Sequence, residues 1–354
     1  MNIETIPGSQ RPKIEGFALP MEAPGRLPLE PMDLKLMSIQ PGGGPILRLE
    51  LAWGRLRRWY LKSFRPRYLV RMRMKRRGDF NGCPHEVLDP RDVKFFRNQG
   101  GYYWRPQDDP FTWRDRLGVA RVGLAELIVI GGGAIALAIL LLIIAFRAPL
   151  PRGVAVGCGL VAVALAAIGG FVISFFRDPS RKVPIGAGLI VSPADGTIVE
   201  VAEIADDEFV TGKAVRISIF LSIFNVHINR MPAPGRVIGL HYRRGKMLDA
   251  RNPAASQQNE QLAVRIEAEA VPHRRMVVRQ ITGLIARRIV CWLKPGDVLA
   301  AGERFGMIKF GSRTELVLPW ETGLEITAKR GDKVLAGSTI VARYPASPAV
   351  GETS

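Results

Sequence analysis

The chain has 354 residues, of which 47% are hydrophobic, and a formal net charge of +18. The strong positive charge favours an anionic partner, either a nucleic acid or the surface of an anionic membrane. The three cysteines, Cys83, Cys158 and Cys291, lie far apart, which excludes a disulfide framework or a zinc ribbon and fits a reducing compartment.

Residues 1–120 form a basic N-terminal extension. Residues 1–50 are rich in Pro and Gly with little periodicity, so we expect them to be largely irregular, and we expect no cleavable signal peptide. Residues 55–77 contain eleven Lys and Arg and no acid, interleaved with four aromatic residues, Trp59, Tyr60, Phe64 and Tyr68. This composition is typical of a nucleic-acid patch or of a segment lying on anionic lipid, and the apolar segments that follow favour lipid.

Two long uncharged segments come next. Leu127–Phe146 has twenty residues without a charged side chain and Gly153–Phe176 has twenty-four, so each can cross a bilayer core of about 30 Å as a helix. The short linker contains two prolines, so we predict a transmembrane helical hairpin over residues 121–177, with buried core helices as the alternative. The flanking Lys and Arg outnumber those of the linker, which predicts that both outer ends are on the cytoplasmic side of the cell membrane.

The residue composition changes after the second apolar segment. Short runs rich in Val, Ile and Phe alternate with Gly, Pro and Asp turns, at 188–192, 214–226, 236–242, 276–282, 289–293, 314–318 and 324–328. Runs of this length and spacing predict a mainly β (α+β) domain with sandwich-like or barrel-like sheets over residues 178–354. Helix signals are few there, and Asn252–Gln261 is the candidate.

Three constellations in this domain contain residues suited to catalysis. They are the stretch 192–196 with Asp195, the stretch 220–232 with His227, and the stretch 305–313 with Gly311 and Ser312. Taken singly, each has a structural interpretation: an Asp-Gly turn, a hydrogen-bonded core histidine and a Gly-Ser bulge. However, histidine is the natural proton carrier near neutral pH, and a glycine before a serine leaves the carbonyl of its peptide unshielded.

In this order the constellations resemble the phosphatidylserine decarboxylases. The likeness rests on FFRDP at 175–179, SPADG at 192–196, FLSIFNVHINRMP at 220–232, GLIARRIVCW at 283–292 and FGMIKFGSR at 305–313. The short bacterial and archaeal form of the family is the most similar. The resemblance covers about residues 125–345 and does not explain residues 1–120.

The resemblance implies a lyase with a covalent pyruvoyl group made from its own backbone. Ser312 would attack the carbonyl of Gly311, and β-elimination from the resulting ester would leave a pyruvoyl cap on residue 312. The cut would give a β chain, residues 1–311, and an α chain, residues 312–354, that remain associated. The lipid's serine amine would form a Schiff base with the cap, which accepts the electrons released when CO2 leaves, and phosphatidylethanolamine would be the product.

The resemblance makes His227 and Asp195 the candidates for the base in the cleavage and for the group that orients it. A serine nucleophile needs a base, and the base needs an orienting group, so His227 would serve the cleavage, the reprotonation after loss of CO2, or both. Longer members of the family have a second histidine three residues later, where this chain has Arg230. A second Gly-Ser pair, at Ser338, resembles the cleavage site of those longer members, but its flanks predict a plain hairpin, so Ser312 is preferred.

The remaining predictions concern the substrate and the partners. Arg313 and Arg230 are candidates for the lipid phosphate, because Arg makes bidentate contacts with phosphate oxygens, and a solvated basic face is the alternative. Asn259-Glu260 stands where the family has an Asn-Glu pair near the site. No metal is predicted, because no Cys/His cluster has ligand spacing. The phospholipid and the membrane are the predicted partners, with homo-oligomerisation left open and nucleic acid not expected.

Two rival functions remain open from the sequence. The first is a decarboxylase with the same machinery that acts on another serine-headed lipid, such as archaetidylserine. The second is a membrane protein with a catalytically inactive β domain that binds nucleic acid through residues 55–77.

Overall fold

The computed structural model describes residues 25–36, 45–75, 86–98, 109–284, 288–309 and 311–345. Most of the segment predicted to be irregular, and Cys83, lie outside these residues. In the extension, helices α1, α2 and α3 span Pro45–Phe64, Pro66–Lys75 and Pro90–Phe96. The irregular segment predicted for residues 1–50 therefore ends earlier than expected, where Pro45 begins α1.

The extension has a small hydrophobic core of its own. Its buried members are Leu61, Met72, Val87, Leu88, Val93 and Phe111. Asp89 caps α3 and forms a capping box with Asp92, and both carboxylates also pair with arginines of α1. These contacts hold α1 against α3, while the aromatic side chains Trp53, Trp59, Tyr60 and Phe64 of α1 stay exposed.

The apolar segments form two helices long and apolar enough to cross a membrane, Arg121–Arg147 and Arg152–Phe175. The first contains a short helix α4, Leu124–Glu126, then a π-helical turn, Leu127–Gly132, and then helix α5, Gly133–Arg147. The second is helix α6. The helices lie side by side, and a Cβ at Gly169 would come within 2.6 Å of the Ile135 side chain, so glycine permits their close approach.

The outer ends of the hairpin are joined by backbone hydrogen bonds. Ala120 N donates to Phe176 O and Asp178 N donates to Gly118 O, both at 2.7 Å. Phe175 and Phe176 are buried with Val122 and Met307 in one hydrophobic cluster. The outer ends of the hairpin, at Val122 and at Phe175 and Phe176, are therefore packed directly against the β domain.

Fourteen strands are described in the β domain, and helix α7 spans Ala255–Gln258, within the predicted helix but shorter. The strands are β1 Leu189–Val191, β2 Gly196–Ile204, β3 Ala214–Leu221, β4 Ile228–Arg230, β5 Gly235–Arg243, β6 Gln261–Ala268, β7 Arg275–Thr282, β8 Arg288–Cys291, β9 Val298–Leu299, β10 Arg304–Lys309, β11 Ser312–Pro319, β12 Glu325–Ile326, β13 Lys333–Val334 and β14 Ile340–Arg343.

The strands form three sheets. An eight-stranded antiparallel sheet has the order β13-β2-β3-β11-β7-β6-β5-β9, and two three-stranded sheets have the orders β1-β14-β12 and β4-β10-β8. The main core contains residues from all three sheets, for example Ile219, Phe305 and Val341, each fully buried. The mainly β prediction is confirmed, and in the described part of the chain the large sheet is open at β13 and β9 instead of closing into a barrel.

Candidate active site

Ser312 is the first residue of β11, a central strand of the large sheet. It pairs with Leu221 of β3 on one side and with Thr282 of β7 on the other, and it is completely buried. Its Oγ has no hydrogen-bond partner among the described residues. A buried hydroxyl without a partner costs about 1–3 kcal/mol, which indicates a group kept for chemistry instead of stability.

The Gly311 backbone has a conformation that favours glycine. Its φ is +61°, in the left-handed region, as expected for a glycine that exposes its carbonyl. Gly283 faces this carbonyl: a Cβ added at Gly283 would lie 2.6 Å from Gly311 O and 3.3 Å from Gly311 C. This role of Gly283 was not predicted, although the residue opens the GLIARRIVCW motif.

The side chain of His227 contacts this peptide. The N–H of Gly311 donates to His227 Nε2 at 3.2 Å, and His227 Nδ1 lies 2.9 Å from the carbonyl oxygen of Asn225. These contacts fit one neutral tautomer, in which Nδ1–H donates to Asn225 O and Nε2 is the acceptor. The ring lies against Phe175, with 4.6 Å between the ring centroids. The structure therefore brings the predicted base and the predicted scissile segment together.

The surroundings of His227 keep its imidazole neutral. Burial lowers the pKa to about 4, the hydrogen bond to Asn225 O opposes this change, and the charge of Arg177 adds to it. At neutral pH, Nε2 is therefore unprotonated. Its lone pair accepts the Gly311 N–H in this structure and can take up a proton once that hydrogen bond breaks.

Asp195 forms hydrogen bonds with Ala336 and Arg181 and not, in the described structure, with His227. Its Oδ1 accepts from Ala336 N at 2.8 Å and its Oδ2 accepts from Arg181 Nη2 at 2.6 Å. Burial raises the pKa of this carboxyl, and the contacts with Ala336 and Arg181 oppose the change. In the described structure the group that orients His227 is the Asn225 carbonyl, and Asp195 makes no hydrogen bond to the imidazole.

Arg313 and Arg230 are both buried in ion pairs. Side chains alternate across a strand, so Arg313 points to the face opposite Ser312, where it meets Glu200 at 2.6 Å and Glu315 at 3.0 Å. Arg230 donates to Asp178 Oδ1 at 3.1 Å and to Gly302 O at 3.0 Å. A phosphate contact stays a prediction for both residues.

Arg230 lines a cavity of about 500 Å³. The cavity lies between α3, the segment before the apolar hairpin, and strands β4 and β10, and its walls carry more basic than acidic side chains. Its described lining does not include Ser312 or His227. The cavity is therefore a neighbouring feature, separate from the Gly311–Ser312 peptide.

A buried polar network lies on the Ser312 face of the sheet. Asn229 Nδ2 donates to Thr314 Oγ1 at 3.1 Å, and Gln280 Nε2 donates to Asn229 Oδ1 at 2.8 Å. Because Thr314 is two residues after Ser312, both side chains are on one face. This network links β4, β7 and β11 and fixes the strand that begins at Ser312.

Asn259 supports the partner strand of Ser312. It is fully buried, and its side-chain amide donates to Thr282 O at 2.7 Å and to Leu248 O at 2.9 Å. Since Thr282 is directly opposite Ser312, Asn259 acts on the site through the backbone of β7.

Ser338, the alternative cleavage serine, lies in a hydrogen-bonded turn. Its N–H and that of Thr339 both donate to Leu335 O, at 3.1 and 3.0 Å. The plain hairpin predicted from its flanks is not formed, because β13 before the turn pairs with β2, whereas β14 after it pairs with β1 and β12. Among the described contacts, none joins Ser338 to a histidine.

The comparisons with known proteins point to one family. Residues 168–342 match the family model described as phosphatidylserine decarboxylase. A phosphatidylserine decarboxylase proenzyme of Rhodopirellula baltica is 49% identical over 254 residues, which cover 71% of this chain and 99% of that protein. Proteins of the same name from Carboxydothermus hydrogenoformans and Geobacter metallireducens are 48% and 38% identical, covering 49% and 60% of this chain and 79% and 92% of their own lengths.

Proposed function

The chain belongs to the phosphatidylserine decarboxylase family, and we propose that it cuts itself between Gly311 and Ser312 to make the pyruvoyl group with which it acts. Its activity is the decarboxylation of phosphatidylserine to phosphatidylethanolamine, a lyase reaction. The observation that carries the proposal is the contact between Gly311 N–H and His227 Nε2, next to a buried serine hydroxyl without a partner.

Self-cleavage begins with the hydroxyl of Ser312. His227 Nε2 takes the proton from Oγ, and Oγ forms a bond to the carbonyl carbon of Gly311. The peptide C–N bond then breaks to give an ester, as the nitrogen of residue 312 takes up the proton from His227 and becomes a free amine. Removal of the Cα proton of residue 312 then breaks the ester Cβ–O bond and releases the Gly311 carboxylate. Water replaces the nitrogen on Cα, and ammonia leaves. Gly283 admits the carbonyl that is attacked, and Asn225 holds the His227 tautomer that can accept a proton.

The residues present fit a pyruvoyl group at position 312. The buried Oγ is uncommitted, and the backbone of residue 312 is fixed on both sides by Leu221 and Thr282. When present, the group supplies an electron sink for the pair released with CO2. The apolar ring of Phe175 lies against His227, and such surroundings disfavour the substrate carboxylate relative to the neutral CO2 that replaces it.

The two products of the cut stay together through the large sheet. β11 belongs to the α chain and is flanked by β3 and β7 of the β chain, with ladders from Ser312 to Pro319 and from Ser312 to Val317. Removing one peptide bond at the start of β11 leaves these ladders intact. This supports the association of the α and β chains.

We also propose that the hairpin of residues 121–177 spans the cell membrane, with the β domain on the cytoplasmic side. Its support is the length and apolar surface of the two helices, with Leu137 and Phe146 47% and 84% exposed. The exposed aromatic residues and many arginines of α1 suit an anionic membrane surface beside the hairpin. The lipid phosphate would then meet Arg230 at the edge of the β domain.

The test uses the full chain in membranes that contain phosphatidylserine. The wild-type chain should appear as two fragments and should form phosphatidylethanolamine, whereas the Ser312→Ala variant should stay intact and form none. Ser338→Ala is the matched control and should be cut and active like the wild type. Cutting of the Ser312→Ala variant, or an intact Ser338→Ala variant, would place the cleavage site elsewhere.

A further inference from the structure

Lys309 is a buried lysine just before the scissile peptide. It is the last residue of β10, only 3% exposed, and stands two residues before Gly311. Its Nζ donates to Glu126 Oε1 and, at 3.3 Å, to Val122 O. The cation is thus taken out of water next to the site and held by one carboxylate.

Both partners of Lys309 come from the beginning of the apolar hairpin. Glu126 is the last residue of α4 and continues into the π-helical turn and α5. The ring of Phe176, at the other end of the hairpin, lies 5.9 Å from Lys309 Nζ. Lys309 therefore meets the hairpin at the point where its two ends converge.

The strand that carries Lys309 also contacts the proposed base. Ile308 N donates to His227 O at 3.2 Å, and Gly311 N donates to His227 Nε2 at 3.2 Å. Lys309 lies between these two contacts in the sequence. A shift of its backbone would therefore change the position of the Gly311 carbonyl relative to the imidazole.

Burying the Glu126–Lys309 ion pair adds little to the stability of the fold. Taking two charges out of water costs about as much as their attraction returns, so apolar residues of similar volume would stabilise the fold as well or better. The groups that act on Lys309 are Glu126, Lys94 and Arg288; burial lowers the pKa of Lys309 to about 8, and Glu126 opposes this. A costly pair at this position is better explained by positioning than by stability.

We propose that Glu126 and Lys309 are positioning residues for self-cleavage, which hold the segment before the scissile peptide against the apolar hairpin. Maturation is thereby coupled to the seating of the hairpin on the β domain. This inference rests on the proposed function at Ser312. It gives the first helix a part in making the active site, beyond attachment to a membrane.

The test measures the rate at which newly made full-length chain in membranes converts into two fragments. Lys309→Met and Glu126→Gln should each slow conversion about tenfold or more, since small misplacements of reacting groups have effects of up to about a hundredfold. The double variant should be no slower than Glu126→Gln alone, because both changes remove the Glu126–Lys309 pair and only Glu126→Gln also removes the pair with Arg288 at 3.6 Å. Lys309→Arg keeps the charge and should recover most of the rate.

Two controls separate positioning from a general loss of stability. Arg236→Met removes one of the two arginines paired with the buried Glu267, at 3.1 Å, away from the scissile peptide, and should leave the conversion rate unchanged. The wild-type rate should fall above pH of about 8, where Lys309 loses its proton, and the Lys309→Arg variant should keep its rate there.

Three results would overturn the inference: wild-type conversion of Lys309→Met, equal slowing by Arg236→Met, or a high-pH fall that Lys309→Arg retains. A wild-type chain that is never cut would instead refute the proposed function. The two failures are therefore distinguishable in one experiment.

Discussion

The scissile peptide is confined by residues from two sides of its backbone. His227 contacts the N–H of Gly311, and Gly283 lies against the carbonyl of the same residue. His227 was expected at this peptide from its place in a family motif, but the expected partner was the Ser312 hydroxyl, which makes no hydrogen bond among the described residues. The second contact depends on how β7 continues past Thr282 beside β11, which is a matter of strand pairing.

Gly283→Ala should block or strongly slow self-cleavage. The added Cβ would lie 2.6 Å from the oxygen and 3.3 Å from the carbon that Ser312 attacks, so the peptide must shift away from its reactive position. We expect a loss of about a hundredfold in the conversion rate, measured as the fraction of chain cut over time. The control is Gly170→Ala, whose Cβ meets nothing within 4 Å. If the Gly283→Ala variant is cut as fast as the wild type, the Gly311 carbonyl can accommodate the added Cβ, which would contradict this prediction.

The acid side of the pH profile of self-cleavage should report on His227. The imidazole accepts a proton only while neutral, and in the folded chain its pKa is about 4 instead of 6.5. The conversion rate should therefore stay level as the pH falls from neutral through 6.5, and drop only as it approaches 4. Return to neutral pH should restore cutting, which separates titration from unfolding. A midpoint near 6.5 would contradict a buried, neutral base.

At the scale of elements, apolar runs were the most reliable guide. The runs at 276–282 and 314–318 became β7 and β11, and the two uncharged segments became the helices of the hairpin. In contrast, β2 and β6 were not predicted, although they contain charged residues much as β7 and β11 do, with Arg279 and Glu315. These strands are stabilised by pairing with neighbours on both sides, which no local pattern shows.

In the N-terminal extension, helices were missed for the same reason as these strands. The density of Lys and Arg between residues 55 and 77 indicated a surface that binds anions, but the helices α1 and α2 were not predicted there. α1 is paired with carboxylates more than twenty residues further on, Asp89 and Asp92. The same reason explains why the Glu126–Lys309 pair was missed, since 183 positions separate the two residues.

At the scale of the whole molecule, the predicted cut divides the chain within its most central sheet. Residues 312–345 provide β11 in the middle of the large sheet, β13 at its edge, and β12 and β14 beside β1. The hairpin packs on the same region through Phe175 and Phe176, and Glu126 reaches the strand before the cut. One fold therefore contains the helices proposed to cross the membrane, the machinery for the cut and the strand that would carry the new end.

The mass of the C-terminal fragment tests the central claim most directly, because it reports the cleavage position and the new group together. Fragment from chain that converts phosphatidylserine should begin at residue 312, carry no N-terminal amine, and be lighter by one ammonia than the same fragment made by simple hydrolysis. A fragment from active chain that begins with an ordinary serine, or active chain that remains whole, would contradict the account.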